Sequence, residues 1–499
     1  MDFACLILFL LFYFFRPQEW METLDSFHPI QVFTIVAVFA LLARPKGVKP
    51  SDLFKTPHDT LVFAYFAWTV IASPSHIATF LTIPSQILFY IICVQSLSNI
   101  SRINTFLKWW GWSLLVIAAL AIASQYGFDP FDSYDLTVNH MKGRLALNLS
   151  IYNNPNGLGH TLVPAIPMIY FLLFWKKIIG KISAVLFVLP LWCLYLTESK
   201  GSMICAFVTT CATLTFGRPK TVQIAILACA GMFGVGILFA LPRMNELEKS
   251  TKNDEAIGGR VAAFKFGYDC LSENPIYGIG MNNFQANFFR YGPRERVKGK
   301  KPIHGHMSKV WVYRHYTKAT HSAYNQNGAE LGYPGLMLFI AILYSCMRTL
   351  ITMPKGSVDQ ERVRRALFAI VVAYSASSWM VDFAYRPTFF LFVAATGAFQ
   401  RINLNLGRTE DPQPTFVAPL GRIQPALIPE PQLALAKEGA LASPATLPLP
   451  GYPSKEAVAE ELTAWPPIKW NRIGLIDVGF VLVLTWGAIQ FWLYSIRTF

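Results

Sequence analysis

Charge is scarce in this sequence. Asp, Glu, Lys and Arg make up 14% of its 499 residues, against 53% hydrophobic residues, where an ordinary soluble domain carries about 25% charged residues. Such a chain cannot cover its own surface with polar groups, so the bilayer must be its main solvent. A soluble enzyme, a disordered chain and a DNA-binding module are excluded, and nucleic acid is no partner. A disulfide framework is missing too. Seven of the eight cysteines lie in apolar runs, where cysteine acts as a small hydrophobe, and Cys270 stands alone in the one large polar loop. Nor does the N-terminus have the basic start or the small-residue cleavage site of a secretory leader. Asp2 opens it and Arg16-Pro17-Gln18-Glu19-Trp20 follows, so it reads as a retained first span.

Apolar runs supply what is present. Stretches near the length needed to cross about 30 Å of hydrocarbon fall at 3–15, 29–43, 59–74, 79–97, 109–125, 158–175, 182–197, 201–217, 221–241, 331–350, 366–384 and 387–400, with a last at 473–495. The expected fold is an all-α polytopic membrane protein of about twelve transmembrane helices, with one extra C-terminal helix. Basic residues of the short loops fix the orientation. Loops after even-numbered spans hold Arg44, Lys46, Lys49 and Lys55, then Arg102 and Lys108, and so on to Arg362, Arg364 and Arg365. Loops after odd-numbered spans hold few, so the N-terminus and the end of span twelve are expected to be cytoplasmic.

This topology puts the longest interior loop, 242–320, outside. It holds fourteen Lys/Arg against seven Asp/Glu in a chain of net charge +14, a bias that external loops normally lack. All the histidines except His58 also fall on the outer side or at that interface, so the outer face reads as the working face. Between Arg401 and Arg472 twelve prolines mark an extended linker that cannot bury a core. The expected organisation is therefore 1–241 for spans one to nine, 242–330 for a large catalytic loop, 331–400 for spans ten to twelve, 401–472 for a Pro-rich cytoplasmic linker and 473–499 for an anchor.

Four outer segments combine polar groups with helix breakers: Asn153-Asn154-Pro155-Asn156-Gly157; Thr197-Glu198-Ser199-Lys200-Gly201-Ser202; Gly259-Arg260 with Asn274-Pro275, Gly278-Ile279-Gly280 and Asn283-Phe284; and His321-Ser322-Ala323-Tyr324 with Glu330-Leu331-Gly332. In their order and with the loop between spans nine and ten, these resemble the O-antigen ligase and O-antigen polymerase superfamily of bacterial envelope glycosyltransferases, over roughly 145–350. The opening Arg16-Pro17-Gln18-Glu19-Trp20 further resembles the exosortase-associated O-glycosylation ligase branch.

The resemblance implies transfer of a glycan from undecaprenyl diphosphate to an acceptor hydroxyl (on lipid A-core, another glycoconjugate or a protein) at the periplasmic face of the bacterial inner membrane. It implies neither metal nor cofactor. A lipid diphosphate is a good leaving group that needs charge neutralisation, which fixed cations supply. Arg260 can grip phosphate oxygens bidentately and Lys200 can act as a point charge. Lys200 departs from the family pattern, which has arginine there. Arg386 is a further candidate for the clamp. A sugar hydroxyl is a poor nucleophile near neutral pH, and His321 suits the role of general base. Asn153, Asn156 and Tyr324 are candidates for hydrogen bonds to sugar or phosphate.

Each residue has a structural rival. His321 can cap span ten, Lys200 can snorkel from a helix end, Arg260 can pair with Asp269 or Glu255, and Arg386 with Asp382. The basic run 290–301 reads more commonly as a solvated, mobile stretch than as a site for phosphorylated acceptors or lipid head groups. His304, His306 and His315 lack the completing ligands of a zinc site, and Asp129, Asp132 and Asp135 lack an EF-hand pattern. Two other activities stay open: a polymerase that joins repeat units on the carrier, and a transporter or flippase. Against the latter, the spans show no paired halves and few intramembrane charges.

Overall fold

Proline and capping residues set where the helices start. Pro29, Pro57 and Pro155 stand in the first turn of their helices, where a missing N–H costs nothing. Asn99, Ser199, Ser322 and Ser357 accept the backbone N–H of the residue three positions on, which satisfies a donor the helix leaves open. The computed structural model describes residues 2–43, 54–73, 76–175, 184–240, 255–303, 306–354, 356–405 and 473–498. Most of the Pro-rich linker, 406–472, lies outside the described residues, as do the loop segments 241–254 and 304–305.

The helices that matter for the site are α1 (Asp2–Phe15), α2 (Pro29–Leu42), α3 (Pro57–Ala72), α4 (His76–Ser96), α5 (Ile100–Ser124) and α6 (Pro155–Phe174). They continue as α7 (Val188–Leu196), α8 (Lys200–Thr215), α9 (Lys220–Ala240), α10 (Glu255–Glu273), α11 (Phe284–Tyr291), α12 (Ala323–Thr352), α13 (Val358–Ser377), α14 (Pro387–Asn405) and α15 (Leu475–Thr498). A helix occupies each apolar stretch named above. Four of the described helices, α5, α6, α12 and α15, are by themselves long and apolar enough to cross a membrane. Helix α1, at 14 residues, rises about 21 Å, short of the ~30 Å core. The chain departs from the all-helical expectation in the large loop, where β1 (Glu295–Ile303) and β2 (His306–Arg314) pair antiparallel. Part of the basic run 290–301 is thus a strand. Helix α14 also runs on to Asn405, into the expected linker.

Helices α1, α3, α4, α5, α6, α12, α13 and α14 share one core, with Phe14, Tyr65, Phe106, Tyr152, Phe171, Phe339 and Phe389 fully buried in it. At one end of this pack the charges are tied in ion pairs. Arg348 on α12 pairs with Asp477 on α15, which also accepts from Tyr344 at 2.8 Å. Arg401 reaches Asp59 at 3.2 Å, and Tyr90 donates to the same carboxylate at 3.0 Å. Glu361 holds Arg364 at 2.8 Å and Arg365 at 2.7 Å.

Helix α12 carries the feature that shapes the other end. It breaks at Gly332 (φ 69°, ψ −170°) beside Pro334, which has no N–H to give. Carbonyls of the preceding turn are thereby left without helical donors, and other segments supply them. Ile279 N–H donates to Ala329 O at 3.0 Å, Gly280 N–H to Glu330 O at 2.8 Å, and the Trp68 indole to Leu331 O at 2.9 Å. Tyr333 N–H turns away to Pro275 O at 2.8 Å. The Asn274–Gly280 loop is in effect spliced onto the break. A Cβ at Gly332 would collide with Ile276 O, so both its dihedrals and its bareness are required.

The last helix is more than the tether the sequence led us to expect. Besides the Asp477 pair at one end, Trp492 near the other donates to Phe264 O of α10 at 2.9 Å. Its ring fills the space over Gly328, where an added Cβ would stand 2.9 Å from it. Helix α15 therefore clamps α10 and α12 together.

Candidate functional site

The site is built around the turn that opens α12. Ser322 Oγ caps the helix by accepting Asn325 N–H at 3.3 Å, while Ser322 Oγ and Ala323 N–H both donate to Ser378 O, at 3.2 and 2.7 Å. Pinned by the loop after α13, the chain must reverse at the preceding residue. His321 takes left-handed dihedrals (φ 53°) to do so, a conformation uncommon outside glycine and held only where the surroundings impose it.

The imidazole of His321 is half-buried among charges from three distant segments. Its pKa is lowered from 6.5 to about 4, chiefly by burial, then by the cation of Arg260 on α10, with a smaller push from Lys318; Asp382, after α13, opposes them. Gly259 makes room for this: a Cβ there would come 2.9 Å from Lys318 Nζ. The ammonium of Lys318 can thus lie against the turn that carries Arg260, while also facing the Tyr316 ring at 5.6 Å. At neutral pH the ring is uncharged, the state a general base needs.

Lys200 opens α8 just after Glu198, another left-handed residue (φ 46°). Around it the Asn153–Gly157 segment is knitted to the Thr197–Ser202 turn. Asn156 Oδ1 accepts Ser199 Oγ at 2.8 Å and Arg144 at 3.2 Å, and Arg144 also donates to Thr197 O at 3.1 Å. His160 packs beside this turn, its Nδ1 3.0 Å from Ser377 Oγ and its Nε2 3.2 Å from where a Cβ on Gly201 would lie. Arg260 is near enough for its charge to act on both His160 and His321.

Arg386 stands between two cavities. One, of about 30 Å³, is walled mainly by apolar side chains including Tyr13, Trp110 and Phe392. The other, of about 420 Å³, is polar and lined by Asn282, Thr320, Gln326, Glu330, Asp382 and Tyr385 among others. The guanidinium lies over the Phe383 ring at 4.4 Å. The Asp382–Arg386 ion pair considered above does not form.

The expected residues therefore separate. His321 and Arg260 act on one another electrostatically, Arg386 borders the same polar cavity as Asp382, and the turn that carries Lys200 meets His160 through Gly201. Asn153 is exposed, and the Asn156 carbonyl oxygen is committed to the fold. Tyr324 faces inward: its hydroxyl donates to Ser375 O at 3.1 Å and its ring stacks on Trp379 at 4.3 Å. The pentapeptide at Arg16 proves to be a staple, with Arg16 paired to Glu19 and Glu19 accepting Ser150 N–H at 2.8 Å. Lys318 and His160 escaped the sequence reading because nothing local distinguishes them. His315 Nδ1–H donates to Phe289 O at 2.8 Å, and His304 lies outside the described residues.

Residues 185–340 match the O-antigen ligase family model. The matched segment runs from α7 through the broken first half of α12, and so contains Lys200, Arg260, Lys318, His321 and Glu330. The match supports the O-antigen ligase superfamily, and it fits the long apolar helices of a multi-pass membrane protein. No curated protein matches the chain.

Proposed function

We propose that this chain transfers a glycan from undecaprenyl diphosphate to an acceptor hydroxyl at the periplasmic face of the bacterial inner membrane, as an inverting, metal-independent O-antigen ligase. What supports the reading is the His321 imidazole, held half-buried at the left-handed turn that opens α12 and within reach of the charges of Arg260 and Lys318. The acceptor oxygen attacks the anomeric carbon while its proton passes to His321. The anomeric C–O bond to phosphate breaks, and undecaprenyl diphosphate departs with the electron pair. Arg260 and Lys200 take up the charge that grows on the leaving oxygens, and Arg386 adds a third cation. Arrival of the anionic diphosphate offsets the two cations that depress the imidazole pKa, so the base grows stronger when substrate is in place.

Mass spectrometry of envelope glycoconjugates from strains with and without the gene tests this. A missing glycan linkage, with undecaprenyl-linked glycan accumulating at full length, is the expected result. Accumulation of single repeat units would indicate a polymerase instead, and unchanged conjugates with no accumulated carrier would refute both. Activity is expected to persist in EDTA.

A further inference from the structure

The 420 Å³ cavity has a wall of polar atoms that the fold leaves unused. Thr320 Oγ1, Gln326 Oε1, Glu330 Oε2 and Tyr385 Oη have no partner in strict hydrogen-bond geometry; Tyr385 and Gln326 reach the Glu330 carboxyl, and Tyr385 reaches Tyr65, only through looser contacts. Glu330 and Thr320 are 1% and 2% exposed. Buried polar atoms are nearly always partnered, so a cluster met only loosely at a cavity wall keeps donor and acceptor capacity for a ligand.

Glu330 shows the point most clearly. Its Oε1 has a structural task, accepting Phe284 N–H at 3.1 Å at the start of α11. Its Oε2 has none. The spliced break at Gly332 fixes the backbone of Glu330 through Gly280 N–H, so the second oxygen is held in place at the cavity wall. Met281 and Phe284 also line the cavity, apolar side chains of the kind a ring's C–H face can cover.

The cavity offers little to a diphosphate. Its one cation, Arg386, lines it together with Asp382, and Glu330, its pKa raised to about 7 by burial, adds no positive charge to hold a phosphate. A neutral ligand with many hydroxyls fits instead, since each hydroxyl both donates and accepts. The volume falls within the range of about 300–1,000 Å³ usual for small-molecule sites.

We propose that this cavity is a recognition subsite for an uncharged, hydroxyl-rich sugar ring, with Thr320, Gln326, Glu330 and Tyr385 as its hydrogen-bonding wall. It rests on the glycan-transfer reading above and extends it. The diphosphate lies at the edge of this cavity marked by Arg386 and extends toward Arg260 and Lys200, and the sugar lies within the cavity, next to the His321 turn through Thr320. The ring belongs either to the donor glycan or to the acceptor.

The test uses full-length protein in nanodiscs with three probes: undecaprenyl diphosphate without sugar, undecaprenyl diphosphate carrying one N-acetylhexosamine, and the soluble methyl glycoside of N-acetylglucosamine. Wild type is compared with Gln326→Leu, Tyr385→Phe and Glu330→Gln, the last keeping a hydrogen-bond acceptor for Phe284 N–H. Thermal unfolding identifies the variants that remain folded. Loss of about tenfold or more in affinity for the sugar-bearing lipid, with the sugar-free lipid unchanged, supports a donor-sugar subsite. The same loss confined to the soluble glycoside supports an acceptor subsite. Folded variants that bind all three probes like wild type overturn the subsite while leaving the carrier reading intact. Failure of wild type to bind the sugar-free lipid overturns the carrier reading, and the glycoside comparison then decides the subsite alone.

Discussion

The two ends of the helical pack treat charge in opposite ways. At the end of Asp59, Glu361 and Asp477, arginines are met by carboxylates: Arg401 by Asp59, Arg364 and Arg365 by Glu361, and Arg348 by Asp477. At the end of His321, cations from α10 and from the approach to α12 lean on one imidazole, with Asp382 as the opposing acid. Both ends lie in surroundings poor in water, where unbalanced charge is expensive. The first end balances its charge within the chain and so holds helices together. Under the proposed function, an incoming anion would join the charges of the second.

Substitutions at the first end should act on stability. Arg348→Leu leaves the buried Asp477 without its cation, at a cost of about 3–5 kcal/mol, and thermal unfolding should record it. Adding Asp477→Leu should restore most of the loss. Transfer per folded molecule should stay near wild type, and its collapse without loss of stability would erase the distinction between the two ends. At the second end Arg260→Ala should do the reverse. A transfer rate lower by about 10²–10³-fold is expected, the usual cost of removing one fixed donor to developing negative charge. Thermal unfolding should be little affected, because Arg260 is only half-buried.

The pH profile sharpens the same contrast. His321 must be unprotonated to act, so the rate should rise with pH through its pKa and then level off. With the pKa lowered to about 4 in the unliganded protein, the acid limb of kcat/KM should lie near pH 4. The limb of kcat, which reports the substrate complex, should lie higher, because bound diphosphate offsets Arg260 and Lys318. Coincident limbs would show that no anion approaches the imidazole. The smallest effect is expected at the junction of the two ends. Trp492→Phe removes the indole bond to Phe264 O, and a loss of about 0.5–1.5 kcal/mol in stability should follow.

The helices were legible because each is an apolar run bounded by proline, glycine or a capping residue. Gly332 was visible as a helix breaker at the expected start of span ten, but the helical turns before it, from Ala323, were not. Nor was the consequence of the break, since the donors that satisfy Ala329, Glu330 and Leu331 come from Ile279, Gly280 and Trp68. The hairpin was missed because lysines, Gly299 and Pro302 disguise β1, although Val310-Trp311-Val312-Tyr313 in β2 carried a usable β signal. His321 and Arg260 stood out through their motif. Lys318 and Asp382 become visible only when α10, α12 and the loop after α13 are brought together. Tyr324 and Asn156 looked like ligand contacts because a sequence does not reveal which way a polar group turns. In the fold they serve Ser375, Ser199 and Arg144.

The most direct measurement compares His321→Ala with wild type in reconstituted vesicles, following both binding of undecaprenyl diphosphate and glycan transfer from the loaded carrier to an acceptor. Retained binding with transfer abolished is the expected result. Transfer at near wild-type rate by the folded variant would contradict the account.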